Sequence, residues 1–192
     1  MVVPGFLSGD QSTAILRSRL AHAGYDVHGW GQGINLGASE ARLDRLCGDV
    51  SRLARRSGRP VRLIGWSLGG LYSREVAKRI EADVACVVTL GSPFSGDPRA
   101  NRVWRLYEWI NGHSVDALPM DCNLSEKPPV PTIALWSRDD GIVSFASARG
   151  LPHEADAAIE LNCSHIGFTF EQAALERLVA ILDDPRLSGK RP

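Results

Sequence analysis

Neither sign of charge is in excess in this sequence: 22 basic and 22 acidic residues leave a formal net charge of +0 at pH 7. Such a chain carries no electrostatic footprint for nucleic acid or for an anionic membrane surface, and both are set aside as partners. Cysteine is sparse. Cys47, Cys86, Cys122 and Cys163 form no C-x-x-C pair and fit no zinc-site spacing, so no metal centre is expected. Buried thiols in a reducing compartment are the expectation, although Cys122 and Cys163 fall near loops and could pair in a secreted protein. No run approaches the ~20 apolar residues of a bilayer span, and the N-terminus lacks a basic region leading into an apolar signal core. Stable membrane insertion is therefore not expected, and a soluble cytoplasmic protein is. No internal repeat is present. With 192 residues, 44% of them hydrophobic, the chain suffices for one domain with a substantial core and is short for two. Its oligomeric state is left open.

The most informative stretch is Val61-Arg62-Leu63-Ile64-Gly65-Trp66-Ser67-Leu68-Gly69-Gly70. A short apolar run with the length of a buried strand ends in a G-x-S-x-G pattern, and a helical pattern follows over 68–80. A turn that sharp between strand and helix needs residues without bulk on either side, which Gly65 and Gly69 supply, while Gly70 lets the helix pack closely. Strand and helix patterns alternate along the whole chain. Strands are expected at 1–7 (clipped), 25–30, 61–66, 84–90, 131–136 and 157–162, and helices at 11–23, 39–57, 68–80 and 170–182. That alternation implies an α/β architecture, a mostly parallel sheet of about six strands with helices on both faces.

Gly65-Trp66-Ser67-Leu68-Gly69-Gly70 resembles the nucleophile elbow of the α/β-hydrolase fold, and two further stretches are similar to loops of its bacterial lipase- or esterase-like members. These are the run from Trp30 through Gly33 and Asn35 to Gly37, in which Asn35 stabilises the turn, and Gly91-Ser92-Pro93-Phe94. The glycines at 29–37 lack the third position of a dinucleotide fingerprint, which argues for a plain loop there. The resemblance implies that the amide of Phe6, after Pro4-Gly5, is one oxyanion donor, although the family's histidine is absent there. It also implies one or two strands before this point, so the chain is either a minimal version of the fold or truncated at its N-terminus. One domain, 1–183, is expected, with a cap insertion at approximately 94–130 and a polar tail at 184–192.

A serine hydroxyl is a poor nucleophile near neutral pH and needs an imidazole to take its proton and a carboxylate to orient that imidazole. Ser67, Asp140 and His165 each follow an expected strand, and parallel strands bring their C-terminal ends to one edge. Of the five histidines only His165 follows the final strand, and its Ser-His-x-Gly setting resembles the family's catalytic-histidine loop. Asp140-Gly141-Ile142-Val143 resembles the acid loop, which leaves Asp139 a solvated neighbour; a different acid position, known in some lipases, would implicate Asp97. The second oxyanion donor is the amide of Leu68 at a helix start, where N–H groups are unpaired. Trp66 and Phe94, with the cap aromatics Trp104, Tyr107 and Trp109, are the candidate substrate contacts.

The expected activity is hydrolysis of small-molecule or lipid carboxylic esters through an acyl-enzyme, with no metal or organic cofactor. An acyltransferase or amidase could use the same apparatus. A catalytically silent binding protein of the same fold is the alternative from another class.

Overall fold

The computed structural model describes residues 1–97 and 122–185. Most of the expected cap, including Trp104, Tyr107 and Trp109, and most of the expected tail lie outside the described residues. The elements in order are β1 (Val2–Val3), α1 (Ala14–His22), α2 (Glu40–Ser57), β2 (Val61–Trp66), α3 (Leu68–Arg79), β3 (Val84–Leu90), β4 (Thr132–Trp136), α4 (Phe145–Arg149), β5 (Ala157–Glu160) and α5 (Gln172–Asp183). The strands form one parallel sheet in spatial order β1-β2-β3-β4-β5, with Gly65 opposite Thr89 and Leu90 opposite Leu135 at the C-terminal edge.

Side chains alternate across this sheet with the two-residue period of a strand. Val3, Leu63, Val87 and Ala134 face a layer that holds Leu43, Leu46 and Val50 of α2 and Leu71, Tyr72 and Val76 of α3. Their neighbours Val2, Ile64, Val88 and Leu135 face Leu16 and Leu20 of α1 and Leu175, Leu178 and Ile181 of α5. Each of these fully buried Leu, Ile or Val side chains contributes about 1.5–3 kcal/mol of transfer free energy, so the two layers dominate the fold's stability. Helix α2 buries Leu43, Leu46, Val50 and Ala54 at helical spacing, and Gly58 at φ 66 ends it by donating its N–H to the Ala54 carbonyl. Among the described residues no helix is long and apolar enough to cross a membrane.

Among the described residues five strands are present where about six are expected. Residues 25–30 run along the outer edge of β1, where Val2 donates its N–H to the His28 carbonyl at 2.8 Å, but they form no strand. The next outward-pointing amide of β1 belongs to position 4, and Pro4 has no N–H to give, so the ladder stops after one rung. The short helix α4, after the loop that carries Asp140, has no counterpart in the sequence-based expectations.

A buried cation sits on helix α3. Arg74 of α3 is fully buried and donates to the carbonyls of Leu124 (3.2 Å), Ser125 (3.3 Å), Glu126 (3.0 Å) and Glu154 (3.1 Å). Its guanidinium lies 4.1 Å from the centre of the Phe94 ring. Burial lowers its pKa to about 10, which leaves it charged at neutral pH.

Candidate active site

Ser67 follows the last residue of β2 and precedes the first of α3, at φ 53 and ψ −124. That conformation costs a non-glycine residue of order 1–3 kcal/mol and persists only where the surroundings over-determine it. Here they do. Ser67 donates its N–H to the Leu90 carbonyl (2.9 Å), and its own carbonyl accepts from Gly70 N–H (2.9 Å). A Cβ on Gly65 would run into the Gly69 carbonyl and the Gly70 backbone, and one on Gly69 into the Val3 carbonyl, so the crossing closes only with glycine at both positions. The Leu68 amide opens α3 and has no carbonyl partner four residues back in the helix.

Asp140 and His165 meet on the loops that follow β4 and β5. His165 Nδ1 lies 2.8 Å from Asp140 Oδ2, with the two residues 5% and 4% exposed. A carboxylate only accepts, so Nδ1 carries the proton of this bond, and in the neutral ring Nε2 is then the acceptor. Asp140 is itself fixed: Oδ1 accepts the N–H groups of Ile142 (3.0 Å) and Val143 (2.6 Å), and its carbonyl accepts His165 N–H at 3.0 Å. From the other side Trp66 donates its indole N–H to the His165 carbonyl at 2.9 Å and packs its ring 5.5 Å from the imidazole. Among the described residues no hydrogen bond joins the Ser67 side chain to His165, and Gly91 is the link between the serine's strand end and the Asp140–His165 pair. It follows Leu90, the acceptor of Ser67 N–H, and a Cβ on it would lie 2.7 Å from Asp140 Oδ2 and 3.2 Å from His165 Nδ1. Cys163, two residues before His165, is buried, and burial pushes its thiol up to about 12.

The loop after β1 lies over the elbow, since a Cβ on Gly5 would come within 3.0 Å of Ser67 Cβ. Phe6 follows Gly5, and Leu7 then turns left-handed at φ 56. Leu7 and Ser67 are the only non-glycine residues with positive φ among the described residues.

No family model and no curated sequence matches the chain. Solved structures do. A YdeN-like hydrolase from Pectobacterium atrosepticum matches with a TM-score of 0.60 at 22% identity, over 94% of this chain and 88% of that one. A monoacylglycerol lipase from Paleococcus ferrophilus matches with a TM-score of 0.63 at 18% identity, over 93% of each chain. A pyrethroid hydrolase from Sphingobium faniae matches with a TM-score of 0.65 at 18% identity, over 96% of this chain and 97% of that one. The chain has the α/β-hydrolase fold. Identities this low establish the fold alone.

Within this α/β-hydrolase fold, two expected substrate contacts are buried. Trp66 is 7% exposed and Phe94 1%. Trp66 points from β2 against His165, and Phe94 lies in the core under Arg74, so each has its face covered by protein. Large exposed apolar side chains occur instead on loops connected to the site: Leu7, Ile34 and Leu36 on two loops joined by the Leu7 N–H bond to the Asn35 carbonyl (2.7 Å), and Ile166 directly after His165. Among the described residues no group of three His, Cys, Asp or Glu side chains could hold a metal ion.

Proposed function

We propose that the chain is a serine hydrolase that cleaves carboxylic esters bearing an apolar acyl or alcohol group. The observation that carries this reading is the buried Nδ1–H to carboxylate bond of 2.8 Å between His165 and Asp140, beside a serine held in a strained turn. With the Nδ1 proton held by Asp140, Nε2 takes the proton of Ser67 as its oxygen attacks the ester carbonyl. The same proton then passes to the departing alkoxide. Water, deprotonated by His165, releases the acid from the acyl-serine and restores the hydroxyl. The amides of Phe6 and Leu68 receive the oxyanion in both halves, and loss of one such donor typically lowers kcat by about 10²–10³. Exposed Leu7, Ile34, Leu36 and Ile166 on the loops next to these residues support an apolar substrate, because apolar groups covering them leave water. Lipases among the similar structures support ester chemistry.

A fluorophosphonate probe is expected to label the wild type and not Ser67→Ala, and p-nitrophenyl esters are expected to be turned over faster as the acyl chain lengthens from acetate toward octanoate. A folded wild type that neither labels nor hydrolyses any of these esters would sink the reading.

A further inference from the structure

We infer that Asn35 is a positioning residue that fixes the oxyanion donor loop against the nucleophile. This deepens the reading above and rests on it. Asn35 is 0% exposed and spends each of its polar groups on main chain. Its side-chain Nδ2 donates to the Pro4 carbonyl (2.9 Å), and its Oδ1 accepts Gly37 N–H (3.3 Å). Its backbone carbonyl accepts Leu7 N–H (2.7 Å), and its backbone N–H donates to the Ser8 carbonyl (2.8 Å). Both ends of the 4–8 turn are thereby held, with the Phe6 amide between the two points of attachment.

The clamp reaches the nucleophile helix. Tyr72 of α3, fully buried, donates its hydroxyl to the Gly37 carbonyl at 2.8 Å. The path Tyr72, Gly37, Asn35, Pro4 therefore connects the helix that starts at Ser67 to the loop that carries the other oxyanion amide. What it holds is a strained turn: the left-handed Leu7 conformation is costly for a branched side chain, and the loop relaxes toward ordinary backbone angles once released. Such a relaxation moves the Phe6 amide, whereas the Leu68 amide, fixed by α3, stays in place.

Asn35→Asp tests the chemistry at nearly constant shape, because a carboxylate cannot donate to the Pro4 carbonyl and turns an attraction into a repulsion. Its kcat for p-nitrophenyl butyrate is expected to fall ~10–100-fold with KM changed less than about threefold, a smaller loss than the ~10²–10³ of removing a donor outright. A thionoester separates positioning from general damage. Its sulfur is a weak acceptor that draws little on oxyanion donors, so the ester-to-thionoester rate ratio is expected to shrink in the variant. Tyr72→Phe cuts the far end of the same path, and is expected to lower kcat about 3–10-fold with the same change in that ratio; it carries the test if Asn35→Asp does not fold. With an active wild type, a kcat within about twofold of wild type in Asn35→Asp, or an unchanged ester-to-thionoester ratio, overturns the role of Asn35 alone. A wild type that fails to label with fluorophosphonate overturns the nucleophile and this inference together.

Discussion

Replacing Asp140 by Asn changes one hydrogen-bonding atom and almost nothing else. The two backbone donors that hold the acid loop, Ile142 and Val143 N–H, both go to Oδ1, and an amide oxygen in that position still accepts them. The NH2 group then occupies the place of Oδ2, 2.8 Å from His165 Nδ1, where two donors would face each other. The imidazole escapes by shifting its proton to Nε2, the atom that has to accept the Ser67 proton. Stability is expected to stay within about 1 kcal/mol of wild type by urea unfolding, because both loop bonds survive. Activity is expected to fall about 10⁴-fold in kcat for p-nitrophenyl butyrate, as in other triads with the wrong tautomer, equivalent to about 5.5 kcal/mol of barrier. Asp140→Ala makes a useful contrast, since it also strands the buried Val143 N–H and the partly buried Ile142 N–H and should cost a further ~1–3 kcal/mol in stability. Asp139, exposed on the same loop, is the internal control, and Asp139→Asn is expected to keep kcat within about twofold. A loss below about a hundredfold in Asp140→Asn, or an equal loss in Asp139→Asn, refutes the assignment of the acid.

Two other outcomes follow from packing and from burial. Gly65→Ala drives a methyl into the backbone of α3 and is expected to cost about 3 kcal/mol or more, whereas Gly24→Ala, with φ 89 and open space around it, should cost only about 1 kcal/mol; urea midpoints compare the two directly. The thiols of Cys47 and Cys86 are pushed up to about 11 and that of Cys163 to about 12 by burial, so at pH 8 a disulfide reagent should titrate them more than about tenfold faster in urea than in the native protein. The sign of the linked stability follows. A raised folded-state value leaves stability intact below the unfolded value of 9.0, and the thiol contribution is lost as pH climbs toward 11–12.

Buried strands and amphipathic helices were readable in the sequence because their burial is periodic. The run at 84–90 and the apolar stripe of α2 appear in the structure within a residue of their expected limits. The elbow was readable for a different reason: Gly65 and Gly69 are forced by backbone crowding, and steric necessity leaves a mark in residue type. Residues 25–30 alternate like a strand, but pairing depends on the neighbour as well, and that neighbour offers a proline. The burial of Trp66 and Phe94 is not legible in the sequence, because aromatic type does not say whether the open side of a ring faces a cleft or another part of the chain. Tyr72 carried no signal at all, since a hydroxyl that bonds a distant carbonyl looks like any core tyrosine. Asn35 did carry one, an amide within a glycine-rich loop, but its partners at positions 4–8 are set by tertiary contact alone.

The buried guanidinium of Arg74 bears on which substitutions the approach to β4 tolerates. Its hydrogen bonds at 124–126 go to main-chain carbonyls, which every amino acid possesses, so this part of the attachment does not depend on side-chain type, whereas Leu124 also packs against the core. The side chain at 125 can therefore be exchanged while Arg74 still ties the approach to β4 to α3, so drift in that surface loop leaves the sheet and helix it joins undisturbed.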